Sequence, residues 1–119
     1  MRIKSNTIIK LITGRVVIYM EEIIMNLIVN GGEARSKAMM AIQSAKAGEL
    51  EKAKELLEEA SECLHKAHDY QTNLIQNEAA GNKTDLSLLM VHAQDHLMNA
   101  MTVRDLAQEF VEMYELYNK

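Results

Sequence analysis

The sequence predicts an all-α chain folded as an antiparallel three-helix bundle, and three observations carry that prediction. Alanine, leucine, glutamate, lysine and nine methionines dominate, with no proline and no tryptophan, and these are strong helix formers. Apolar residues recur in steps of three and four along three long stretches, the period of a helix with one buried face. Aromatic residues make up 4% of the chain, too few for the strand packing of a sandwich or barrel. At 119 residues, 48% hydrophobic and 25% charged, the chain amounts to one ordinary globular domain.

The residues before Met20 stand apart. Positions 1–19 hold Arg2, Lys4, Lys10 and Arg15 and no acid, so +4; the rest holds 13 − 4 = 9 bases and all 17 acids, so −8. The longest uncharged run near this start, residues 16–20, is shorter than the roughly 7–15 residues of a signal core or the about 20 of a membrane span. Its Ile- and Val-rich mixture suits neither a bundle helix nor a strand. The expectation is that Met20 opens a working domain over 20–119. Residues 1–19 are then a tail or an artefact of the assigned start, the alternative being a short element that caps the bundle.

The first helical segment spans about 21–47. Ile23, Ile24, Leu27 and Ile28 recur at helical spacing, followed by Ala34, Ala38, Met39 and Ala41. Asn30-Gly31-Gly32 interrupts it, and two glycines in a helix interior cost roughly 2 kcal/mol against alanine. The residues alone leave a break and continuity equally open there. Gly48 is a stop signal. The second segment, about 49–80, carries a bundle seam of Leu50, Ala53, Leu57, Ala60, Leu64, Ala67, Gln71 and Leu74. Residues 81–85 form a turn, with Asp85 or Thr84 placed to cap the third segment.

The third segment, about 86–117, buries Leu86, Met90, Ala93, Leu97, Ala100, Ala107, Val111 and Tyr114 on one stripe. Leu88, Val91, Leu106 and Phe110 make a second stripe a third of a turn or more away. A three-helix monomer needs only one buried stripe per helix. The second predicts a further partner, most simply another copy of the chain.

Several polar residues break this pattern. His92 and His96 lie one turn apart on the edge of the main stripe of the third segment, and Asp95 lies within the second. A buried, unpaired carboxylate is costly, so Asp95 needs a cation or a donor. The histidine pair alone reads more simply as filler, and it lacks the internal glutamate of a zinc protease helix. His65 and His68 in the second segment complete a four-histidine set, but paired Glu-x-x-His motifs are missing. Gln71 puts an amide in the seam: either it bonds to backbone, or it donates toward His92. Cys63, the lone cysteine, excludes an internal disulfide, fits a reducing compartment and reads as a buried inert thiol. The net charge of −4 and the scarcity of aromatics argue against nucleic-acid binding. No glycine-rich phosphate loop is present.

Residues 89–98, containing His92-Ala93-Gln94-Asp95-His96, resemble the signature of enzyme IIA components of the lactose/cellobiose branch of the sugar phosphotransferase system. Gly32-Glu33-Ala34-Arg35-Ser36 looks like that family's Gly-x-Ala-Arg-Ser, and Ala67-His68-Asp69-Tyr70-Gln71-Thr72 like its Ala-His-x-x-Gln-Thr. The three blocks stand in family order, and the resemblance covers about 20–117. It implies a cytoplasmic three-helix subunit assembled into a homotrimer, with a first helix that runs on through its glycine. It implies that His92 is phosphorylated, with HPr as donor and the IIB component as acceptor. Asp95 would meet its trimer mates around a divalent metal; magnesium suits oxygen ligands. The details lean toward cellobiose/chitobiose members rather than lactose ones.

Imidazole suits a carrier, since its neutral nitrogen is nucleophilic near pH 7 and a phosphoryl group on nitrogen remains a good donor. Gln71, His68, His96 and Gln94 are the candidate positioning residues around His92, although helix angles turn Gln94 roughly opposite to it. A structural or adaptor bundle without chemistry is the alternative, and a metal-storage or sensing bundle would need more ligands than one Asp per chain.

Overall fold

The structure, a computed structural model, describes the backbone of residues 5–118 and the side chains of residues 20–118. These residues form three helices and no strand: α1 (Ser5–Lys46), α2 (Leu50–Ala79) and α3 (Leu88–Tyr117). Ile23 and Leu27 of α1 share one core cluster with Ala67 of α2 and Met90 and Ala93 of α3. Ala41 and Ala45 share another with Ala53, Leu56 and Val111. Residues 23–27 of α1 therefore lie beside the end of α2 and the start of α3, which is the up-down-up arrangement.

Alanine lines the seams. Ala34, Ala38, Ala41, Ala45, Ala53, Ala60, Ala67, Ala93, Ala100 and Ala107 have no exposed surface, while Ile23, Leu27, Leu97 and Val111 are the largest fully buried side chains. Across the surface, Lys37 Nζ lies 3.2 Å from Glu59 and 3.4 Å from Glu33, and Lys54 Nζ lies 3.0 Å from Glu115. Hydrogen bonding to Glu59 and Glu115 raises these two lysine pKa values. Exposed pairs of this kind add little stability.

Both connections are built on a left-handed glycine. Gly48 has φ +84° and Gly81 φ +94°. The amide of Gly48 donates to Ala45 O and that of Glu49 to Ser44 O; Gly81 donates to Glu78 O and Asn82 to Asn77 O. Each pair is the double bond of a Schellman stop, which favours glycine because only glycine adopts that φ without strain.

The structure corrects three expectations. α3 is capped by Ser87, whose Oγ accepts from the Met90 amide at 3.1 Å, rather than by Thr84 or Asp85. The free amides of this helix begin at Leu88, which puts the earlier two out of reach. For the same reason Leu86 lies outside the helix and is 83% exposed, not part of the buried stripe. Finally, α1 has already begun at Ser5 and passes Gly31 and Gly32 without a break. Residues 1–19 lack the packing pattern of a bundle helix, but extending an existing helix costs little where no proline stops it. Residues 1–4 lie outside the described residues.

The described core starts at Ile23, with Met20 packed beside it. A chain beginning at Met20 should therefore melt within about 5 °C of the full chain, roughly 1 kcal/mol for a domain of this size. A larger drop by calorimetry would assign residues 1–19 to the folded core.

Candidate functional site

Half of the site hangs on the side of α3 nearest α1. His92 is exposed and His96 half-buried; four residues apart, they sit one turn from each other on the helix surface. Their rings stack with centroids 5.8 Å apart and planes 24° apart. Beneath His96, α1 presents Gly31 and Gly32 rather than side chains: a Cβ at Gly32 would stand 3.1 Å from His96 Nε2. Sequence reasoning missed this contact. The signal available was the unexplained cost of two glycines within a helix.

The opposite flank of α3 faces α2. Gln71 is buried, and its Nε2 donates to Gln94 Oε1 at 2.7 Å and contacts Met98 Sδ at 3.4 Å. The Gln94 amide in turn lies 3.9 Å from Met90 Sδ. Within one chain Gln71 thus bonds neither to backbone nor toward His92. The two amides instead satisfy each other where α2 meets α3, as buried polar groups must. Gln94 faces away from His92, as its helix angle indicates. His68 is exposed, with Nδ1 3.5 Å from Thr72 Oγ1.

Between the two flanks runs the second apolar stripe. Leu88 is 86%, Val91 52%, Leu106 54% and Phe110 42% exposed. Asp95 lies among them, also exposed, and makes no ion pair among the described residues. Among these residues no three of His, Cys, Asp and Glu stand close enough to hold a metal within one chain. His65 and His68 therefore do not join His92 and His96 in a four-histidine centre. Cys63 is buried, and burial pushes its thiol pKa up, which disfavours the reactive thiolate.

The exposed apolar stripe of α3, flanked by the stacked His92–His96 pair and crossed by Asp95, marks a small helical domain whose candidate chemistry lies on an open helix face. Residues 22–115 match the family described as the lactose/cellobiose-specific IIA subunit of the phosphotransferase system (PTS). The chain belongs to that family. It is 62% identical over 96 residues to the lichenan-specific phosphotransferase enzyme IIA component of Bacillus subtilis, which covers 81% of this chain and 87% of the relative. The crystal structure of the PTS cellobiose-specific enzyme IIA from Bacillus anthracis superposes with a TM-score of 0.79 at 51% identity, over 82% of this chain and 90% of that one. The chitobiose IIA of Escherichia coli, solved in complex with HPr, gives a TM-score of 0.71 at 41% identity, over 83% and 96%. Among the described residues no helix is long and apolar enough to cross a membrane.

Proposed function

We propose that this chain is a cytoplasmic phosphocarrier. In this reading His92 takes a phosphoryl group from phospho-HPr and passes it to the IIB component during uptake of a β-linked disaccharide of the cellobiose/chitobiose type. The observation that carries the reading is an exposed imidazole, His92, braced by a stacked neighbour within the sequence block that resembles the family signature. Transfer between nitrogens makes one N–P bond as another breaks, so the protein has to aim the ring and supply donors to the phosphoryl oxygens. The test is incubation with enzyme I, HPr and phosphoenolpyruvate. Intact mass should show one acid-labile phosphoryl group per chain, and no gain in mass would end the proposal.

The second stripe supports a homotrimer as the working unit. At 100° per residue, His92 lies about 60° to one side of Asp95 and Gln94 about 100° to the other. Packing three copies around the stripe brings the His92 flank of one chain against the Gln71–Gln94 flank of the next. That places Gln71 and His68 of a neighbour, rather than of the same chain, where they can serve a phosphoryl group on His92.

The same packing gathers three Asp95 carboxylates at the axis. Three like charges there repel by several kcal/mol even at an effective dielectric near 20, roughly. They can share protons or a cation. The donor set would be oxygen only, which fits a hard divalent ion such as magnesium with water completing its shell. Asp95 points off the His92 flank, so such an ion would be structural. Light scattering at micromolar concentration should give about three times the 13.5 kDa of one chain. Asp95→Leu should leave a trimer at least as stable, since packing replaces a buried charge cluster, and should make assembly indifferent to chelator. A monomeric wild type, or a monomeric Asp95→Leu beside a metal-free wild type, would refute this axis.

A further inference from the structure

Gly31 and Gly32 weaken the middle of α1, yet the local backbone does not require them. The positive-φ glycines among the described residues are Gly48 and Gly81, so alanine would suit the backbone at both α1 positions and favour the helix. The reason for glycine lies on the facing helix, and it differs between the two. A methyl group at Gly31 would meet His96 Cδ2 at 3.4 Å and the Leu97 backbone at 3.5 Å, which is ordinary contact. A methyl group at Gly32 would meet His96 Nε2 alone, at 3.1 Å, inside the separation at which non-bonded heavy atoms attract. The imidazole of His96 lies close to the space a side chain at position 32 would fill.

That same imidazole stacks on His92, and among the described residues neither ring makes a hydrogen bond that would fix it otherwise. We propose that Gly32 is a positioning residue for phosphoryl transfer: the gap it leaves in α1 seats His96, and the seated ring aims His92. The inference rests on the reading of His92 as the phosphoryl acceptor. In-line transfer is sensitive to aim, since a misplacement of about 1 Å can cost about 10²-fold in rate. A methyl group at Gly32 obliges His96 to shift by a few tenths of an ångström and carries the stacked ring with it.

Full-length wild type, Gly32→Ala, Gly31→Ala, His96→Ala and the double variant Gly32→Ala/His96→Ala test this. Three readouts are needed: the melting temperature, the ring ¹H–¹⁵N resonances of His92 and His96, and the initial rate of phosphoryl uptake from phospho-HPr. Gly32→Ala should melt no lower than wild type, shift both rings' resonances and slow uptake at least about fivefold, within the span that loss of aim allows. Gly31→Ala should stay near wild type in both ring signals and rate. With the imidazole gone the methyl group displaces nothing, so the double variant should match His96→Ala. Unmoved His92 resonances in Gly32→Ala, an unchanged rate, or a further loss in the double variant would each overturn the proposal. A wild type that takes up no phosphoryl group would instead end the phosphocarrier reading. The ring resonances, read with no donor present, would then still decide whether Gly32 seats the histidine pair.

Discussion

His92→Ala should abolish acid-labile phosphoryl uptake and leave the bundle intact. The side chain is exposed, among the described residues it stacks on the His96 ring, and alanine is the better helix former. Within one chain such a change moves stability by about 0.5 kcal/mol or less, and at the proposed trimer contact alanine removes bulk without adding a clash, so melting temperature and particle size should match wild type. The loss of uptake should be complete because a methyl group offers no nucleophile. His96→Ala, which removes the brace but keeps the proposed acceptor nitrogen of His92, should retain some uptake. Intact mass after incubation with enzyme I, HPr and phosphoenolpyruvate reads both. A phosphoryl group on the His92→Ala chain would place the acceptor elsewhere, and His68 would be the next residue to examine.

Leu97→Ala should cause the largest loss of stability. Leu97 is fully buried between Ala93 and Ala100, which are themselves without exposed surface, and its backbone lies against Gly31 of α1. The helices already approach on alanine and glycine, so they cannot close further to fill the space. Truncations at such sites cost about 2–5 kcal/mol, which here corresponds to a fall of about 10 °C or more in melting temperature. Denaturant unfolding should show the midpoint falling with an unchanged slope. A shift of only a degree or two would mean that the α1–α3 seam relaxes around the missing side chain.

The periodic parts of this fold were legible in the sequence alone. The seam from Leu50 to Leu74 and the stripe from Met90 to Val111 repeat in steps of three and four, and the structure buries nearly all of those positions. The stops at Gly48 and Gly81 were readable because a left-handed φ leaves a glycine in the sequence. What escaped was whatever depended on a second helix. Gly31 and Gly32 read as a possible break until α3 supplied a ring that fills the gap beside them. Gln71 left two partners open and took a third, Gln94, which lies 23 residues away and is invisible to any local pattern. The extension of α1 back to Ser5 escaped for the converse reason, since helix propagation leaves no packing signature. The family blocks are what singled out His92 and Asp95 as candidates, while the physics of the surrounding residues indicated only that both interrupt an apolar pattern.

The alanine seams carry a thermodynamic consequence. Ten fully buried alanines bring the helices close, but each removes little apolar surface from water, and the gain scales with that surface. Much of the apolar surface of α3 remains on its outer stripe, from Leu88 to Phe110. On the proposed trimer, covering that stripe supplies stability the single chain lacks, and folding and assembly become one linked equilibrium. The melting temperature is then not a constant of the chain but rises with its concentration and falls on dilution.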